Sequence, residues 1–300
     1  MRARVERSLA QLEERFGGRL AVCCRDETGA PVVAYRAETP MLTASTIKAL
    51  VLARTLKADR DGDLEMSQRI AVGTEHHVPG SGVLSDVRDG AELTVSDLCR
   101  LMIVVSDNVA TNVLLDLIGG PAAVTSMAAG LGLDSVSMWC RVDHQRLAED
   151  PSLFGQASPA DLSLFMHLVS TGGVVDADAS ATILQMMSRQ QYLDQFVRYL
   201  DCSRYIDATG IPATVGVASK TGEWPGARAD VGRLDWDSRW LTYAAMCDGS
   251  DDLSIGPDSE PAVVLGLTGA LVMTELAPTT VKLPAQPALA PGPHWLGGRR

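Results

Sequence analysis

The stretch Ala213-Thr-Val-Gly-Val-Ala-Ser-Lys220-Thr-Gly-Glu-Trp-Pro-Gly-Ala-Arg-Ala-Asp230-Val-Gly-Arg-Leu-Asp-Trp-Asp-Ser-Arg-Trp240-Leu-Thr-Tyr-Ala-Ala-Met-Cys247 decides the fold. It holds three β-rich runs, 213–220, 230–234 and 240–247, which read as a meander. Two more strands, Leu20 to Arg25 and Val32 to Ala37, lie far upstream and are joined by the turn Asp26-Glu-Thr-Gly-Ala-Pro31, a hairpin. Helical periodicity occupies the interval between, near 46–57, 94–104, 108–118, 121–130, 159–170 and 178–190. Thr94 with Asp97, ahead of Leu101-Met-Ile-Val-Val105, resembles a capping box.

Helices also flank the strands, over Arg2 to Phe16 and from about Glu260 to Leu276. The expected fold class is therefore α+β. One antiparallel sheet is built from both ends of the chain, packed by terminal helices, with a helical insertion between. A single domain over 1–276 follows, with an α/β subdomain (1–44 and 205–276) and a helical subdomain (45–204). Residues 277–300 hold five prolines without periodicity and read as a flexible tail.

At 300 residues and 46% hydrophobic, the chain has enough apolar material for one large core. Its net charge of -11 and pI near 4.9 argue against nucleic-acid or anionic-membrane partners, which need a basic patch. The apolar run Pro261 to Met273 is too short to span a bilayer and reads as a buried helix. The charged amino terminus lacks an apolar signal core, so a cytoplasmic location is expected. None of Cys23, Cys24, Cys99, Cys140, Cys202 and Cys247 falls in C-x-x-C spacing, which points to buried free thiols.

The chain has only four lysines against 22 arginines, and two of the four stand in short motifs. Arginine keeps its proton, whereas a desolvated lysine beside another cation can lose it and act as a base. In Ser45-Thr-Ile-Lys48 the serine and lysine share one face at a helix start, an arrangement suited to a serine nucleophile with a lysine proton acceptor. An N-cap serine beside a solvated lysine has the same spacing. Ser106-Asp107-Asn108 offers a hydroxyl and an amide at a break between two apolar helices, or else a helix N-cap. Lys220-Thr221-Gly222 offers a cation, a hydroxyl and a close backbone approach on a strand edge. It is not a P-loop, for no G-x-x-x-x-G precedes it, and no G-x-S-x-G nucleophile elbow exists in the chain.

These three motifs, in this order, resemble the signature of class A β-lactamases and related penicillin-recognising serine enzymes. Val78-Pro-Gly-Ser-Gly-Val-Leu84 and Leu101 to Asn108 look like segments of the same family, and the likeness covers about residues 15 to 276. It implies that Ser45 is acylated, Lys48 takes its proton and Ser106 relays a proton to the leaving group. Asn108 would hold Lys48 and a substrate amide, with Ser81 beside the substrate. Lys220, Thr221 and Gly222 would bind an anionic substrate group, the backbone N–H groups of Ser45 and Glu223 would receive the oxyanion, and no metal or cofactor is implied.

Departures from the family pattern shape the expected activity. The deacylating glutamate of the family has no counterpart at its place in Cys140-Arg-Val-Asp-His-Gln-Arg-Leu-Ala-Glu-Asp150, which falls on Arg146; Asp143, Glu149 and Asp150 are the candidate bases, outside the family's motif. Glu223 stands where the family has a small residue, and its charge would oppose a substrate carboxylate unless Arg228 offsets it. Leu52 stands where the family's disulfide would need a partner for Cys99, which agrees with a reducing compartment. His76 and His77 are expected at the rim of the cleft, with a substrate-lining place as the alternative. The expected protein is a serine hydrolase acting through a Ser45 acyl-enzyme on a small-molecule ester, amide or β-lactam, the last slowly. Alternatives are an acyltransferase using the same intermediate, a β-lactamase or D-Ala peptidase proper, and a non-catalytic binding member of the fold.

Overall fold

A computed structural model describes residues 1–202, 210 and 213–283. In chain order its helices are α1 (Arg2–Phe16), α2 (Lys48–Asp61), α3 (Val95–Val104), α4 (Asn108–Leu117), α5 (Gly120–Gly130), α6 (His144–Glu149), α7 (Pro159–Ser170), α8 (Ala177–Met187) and α9 (Glu260–Leu276). Its strands are β1 (Arg19–Arg25), β2 (Pro31–Tyr35), β3 (Met41–Leu42), β4 (Arg69–Val72), β5 (Ala91–Thr94), β6 (Gln156–Ala157), β7 (Gly216–Trp224), β8 (Ala227–Trp236) and β9 (Arg239–Asp248). Five of these form one antiparallel sheet in the order β2-β1-β9-β8-β7. Both ends of the chain do meet in one sheet.

Local chemistry sets the turns. Asp26 closes the β1–β2 hairpin by accepting from the Thr28 and Ala30 N–H groups, while Gly29 supplies φ 84°. Pro225-Gly226 joins β7 to β8 with Gly226 at φ 74°, and Asp237 and Ser238, both at positive φ, make the tight turn into β9. Thr94 and Asp97 form the capping box of α3 in both directions. Arg36, at φ 46°, ends β2 at Tyr35, before the expected Ala37.

Each face of the sheet covers a core. One packs Val5, Leu9, Leu20, Val22, Phe196, Tyr243, Val264 and Met273 between the sheet and the terminal helices. The other packs Ala218, Val231, Ala244 and Met246 against Leu50, Leu52, Met102, Leu114 and Phe165 of the helical part. Leu52 and Cys99 lie together in this second core, and all six cysteines are free thiols, five of them buried. Among the described residues no single helix is long and apolar enough to cross a membrane.

One expectation changes at the carboxyl end. The stretch to residue 283 is tied to the fold: Thr280 is buried, Val281 bridges to Leu200, and Lys282 donates its N–H to Tyr199 O and its ammonium to Asp201. The remainder of the expected tail, 284–300, and the 204/205 subdomain boundary lie outside the described residues.

Candidate active site

Ser45 stands on a 3-10 turn, Ala44–Ile47, that runs directly into α2. It therefore lies just ahead of the α-helix and not within its first turn. Ala44 has φ 43°, a left-handed value for a residue with a Cβ, and such strain, about 1–3 kcal/mol, persists only where neighbours hold it. Here Thr43 donates its N–H to Gly155 O and accepts at its own carbonyl from the Thr46 N–H and hydroxyl. β7 closes the other side. A Cβ on Gly222 would lie 2.7 Å from Thr43 O and 2.8 Å from Ser45 N, so the absence of a side chain lets the strand touch the serine backbone.

Lys48 is fully buried one turn beyond Ser45. Its Nζ donates to Ser106 O at 2.7 Å and Asn108 Oδ1 at 2.8 Å, and lies 3.1 Å from Ser106 Oγ. Burial, then the neighbouring charge of Lys220, pushes the Lys48 ammonium well below the ordinary lysine range, against weaker opposition from Asp107 and Glu223. As a neutral amine Lys48 keeps two donors for the two carbonyl-type oxygens and one lone pair that can take a proton. That is the state a proton acceptor needs.

The second motif is held by its middle residue. Asp107 is buried and accepts from the N–H groups of Val83, Leu84 and Ala110, so it caps α4 and also ties down the 81–84 turn. Ser106 is held at φ 58°, and Asn108 Nδ2 donates to Pro79 O. Ser81 donates its hydroxyl to Ser106 O and borders the cleft. Asp107 is thus the helix N-cap, while Ser106 and Asn108 border the cleft. Replacing Asp107 by Ala strands the Val83 and Leu84 donors, and a loss of about 3 kcal/mol in urea unfolding is expected; a change under about 0.5 kcal/mol would show the network to be dispensable.

The third motif sits within β7, at the sheet edge. Lys220 is fully buried and donates to Thr221 O at 2.7 Å; burial lowers it to about 7, with Asp230 and Glu223 acting in the opposite direction. The Lys220 ammonium in the same dry site disfavours a proton on Lys48. Thr221 and Glu223 line the cleft. Arg228 does not. Although it pairs in register with Glu223, its guanidinium is 1% exposed and donates to Trp224 O, Ala227 O, Ser254 O and Ser259 Oγ, anchoring the 254–259 loop. The expected offset to Glu223 is absent, because the bonds Arg228 makes are spent on that loop and on the backbone of the β7–β8 turn.

The cleft has a volume of about 520 Å³ and brings Ser45, Ser81, Ser106, Asn108, Thr221 and Glu223 to one wall system. Of the 140–158 loop, Val142, His144, Leu147, Pro151 and Phe154 face it. Arg146, Glu149 and Asp150 are exposed, and Asp143 and Asp150 serve as caps of α6 and of the turn Pro151–Phe154. His144 Nε2 lies 2.8 Å from Pro79 O, which fixes that nitrogen as the N–H donor, and its ring faces Trp224 across 6.3 Å. His76 and His77 are outside the cleft, beside Asp116 and Asp89. Tyr192, Asp194, Gln195 and Trp224 line the cleft without any sequence signal that marks them. Among the described residues no His, Cys, Asp and Glu group is arranged to hold a metal.

A two-core fold with these three motifs at the seam is that of the penicillin-recognising serine enzymes. The chain belongs to the beta-lactamase enzyme family, whose family model matches residues 4–273. Beta-lactamase FAR-1 of Nocardia farcinica is 32% identical over 214 residues, covering 71% of this chain and 64% of that protein. The carbapenem-hydrolyzing beta-lactamase KPC of Klebsiella oxytoca is 27% identical over 244 residues, 76% of this chain and 78% of the relative. Among the first curated relatives, the matched part of FAR-1 is thus slightly under two thirds of its length. The solved beta-lactamase of Sphaerobacter thermophilus shares the fold at a TM-score of 0.78 and 24% identity, over 92% of this chain and 97% of that one. A solved mutant of the class A beta-lactamase of the last common ancestor of Gram-negative bacteria superposes at a TM-score of 0.77 with 26% identity, over 91% of this chain and 98% of that one.

Proposed function

We propose that the protein is a serine hydrolase that takes the acyl group of a small ester or amide, β-lactams included, onto Ser45 and releases it slowly. The observation that carries this is the buried Lys48 amine held between Ser106 and Asn108, one turn from Ser45. Neutral Lys48 accepts the Ser45 hydroxyl proton as Oγ bonds to the carbonyl carbon. The oxygen that gains charge lies between the N–H groups of Ser45 and Glu223. As the intermediate collapses, Ser106 Oγ gives its proton to the leaving nitrogen or oxygen and regains one from Lys48.

Release of the acyl group requires an activated water. The loop that faces the acyl position presents Leu147 and His144, while its carboxylates cap turns or point to solvent. Slow deacylation follows, and the same observation supports transfer to an amine or alcohol as a second reading. The test is intact mass after incubation with a fluorescent penicillin and a panel of p-nitrophenyl esters. A lasting adduct on Ser45, absent in Ser45→Ala, is expected. Rapid turnover of the penicillin would overturn slow release, and no adduct with any ester would overturn the acyl-enzyme.

A further inference from the structure

Large apolar side chains gather in the open at one end of the cleft. Tyr192, Leu253 and Ile255 are 41%, 63% and 54% exposed, and none of them joins a hydrophobic core. Tyr192 and Ile255 border the same cavity as Ser45, together with Trp224, Pro225 and Pro257. A Cβ on Gly226 would lie 3.3 Å from Leu253 Cδ2, which places Leu253 over the β7–β8 turn beside Pro225. Single exposed apolar residues are ordinary, but a group of them at the mouth of a cleft marks a surface that something apolar covers.

A second observation is independent of that exposure: the rim is built to stay in place. The buried Arg228 guanidinium donates to Trp224 O on β7 at 3.0 Å, and to Ser254 O and Ser259 Oγ on the loop at 3.2 and 2.9 Å. One cation thus fixes the end of β7 and the 254–259 loop side by side. Arg198 donates to Pro257 O and to Asp258, and Asp252 accepts from the Ser254 and Glu260 N–H groups. A loop held this firmly presents Leu253 and Ile255 as a fixed surface beside Trp224, in the manner of binding loops on a rigid scaffold.

We propose that this rim seats an extended apolar arm of the substrate, aliphatic or aromatic, so that the cleft selects lipophilic esters or amides. The proposal rests on the acyl-enzyme reading of the same cleft. An arm that leaves the reacting carbonyl along β7 reaches the rim. The strand touches the Ser45 backbone at Gly222, and Trp224 stands two residues further on, about 7 Å, roughly the length of a six-carbon chain. Covering the rim takes apolar surface of both partners out of water. No lysine or arginine is among the described lining residues, so nothing there favours an anionic end on the arm.

Acylation of Ser45 is followed with p-nitrophenyl acetate, butanoate, hexanoate and octanoate below their micelle concentrations, and with 4-alkyl-2-nitrophenyl acetates, in which the arm rides on the leaving group. In one of the two series the rate is expected to rise about twofold to fourfold with each methylene beyond the fourth carbon. The ratio of the longest to the shortest member is expected to collapse in Ile255→Asp and in Leu253→Asp, with thermal melting reporting the fold of each variant. Calorimetric binding of butanamide, hexanamide and octanamide to Ser45→Ala reads the same preference without chemistry. If no ester acylates Ser45 but octanamide binds best, and Ile255→Asp in that background removes the difference, the acyl-enzyme reading fails and the apolar seat stands. A flat response in both acylation series and in binding overturns the seat. So does a rise that survives both rim variants, which puts the arm elsewhere in the cleft, or self-association abolished by Ile255→Asp, which gives the rim to a second copy of the chain.

Discussion

Lys48→Arg is expected to slow acylation of Ser45 by esters and β-lactams about a thousandfold or more. The reason is the protonation state, since a guanidinium keeps its proton where a buried amine gives it up. Lys48 is fully enclosed, and burial together with the charge of Lys220 lowers it well below 10.5. A base works on the alkaline side of its pKa, so lowering that pKa moves the rising limb of the pH–acylation profile toward acid. Stopped-flow acylation is therefore expected to reach half its maximum far below pH 10.5. Lys220→Met, by removing the second cation, shifts that limb back to higher pH. Thermal melting of each variant separates loss of chemistry from loss of fold. A folded Lys48→Arg protein that still acylates would remove Lys48 from the role of proton acceptor.

Gly222→Ala is expected to cost about a hundredfold to a thousandfold in acylation, the range for losing one oxyanion donor. A methyl group there meets Thr43 O at 2.7 Å, Ser45 N at 2.8 Å and Ala44 Cβ at 3.0 Å. Two of these atoms belong to the backbone and none sits at the end of a flexible side chain, so the relief available is for β7 to move away from the serine. The Ser45 and Glu223 N–H groups then no longer converge on one oxygen. Burst kinetics with p-nitrophenyl acetate measure the effect, and near-wild-type acylation in a folded variant would show that the close approach of β7 is not required.

Much of this arrangement was legible in the chain because it rests on local chemistry. The capping box at Thr94, the Asp26 turn, and the paired strands at both ends are each written in neighbouring residues, and the three motifs point at one seam. Other parts depend on where a side chain turns, which spacing does not encode. Arg228 and Glu223 are directly paired, yet one is spent on Ser254 and Ser259 and the other faces the cleft. Asp143 and Asp150 look like bases in the sequence and act as caps in the fold, since a carboxylate before a short helix binds its free N–H groups. The short strands β4 and β5 were invisible for a similar reason: four residues each, largely half-buried or exposed, carry too little alternation to read.

The sheet order has a consequence for how this chain comes to be folded. β1 has β2 on one side and β9 on the other, and its register with β9 runs from Arg19↔Asp248 to Arg25↔Thr242. A chain growing from its amino terminus can make the β1–β2 hairpin at once. The opposite edge of β1, through Leu20, Ala21, Val22, Cys23 and Cys24, waits for a strand more than two hundred residues later. Until Asp248 has left the ribosome this edge is an open template for other strands, an aggregation hazard that pairing with β9 removes.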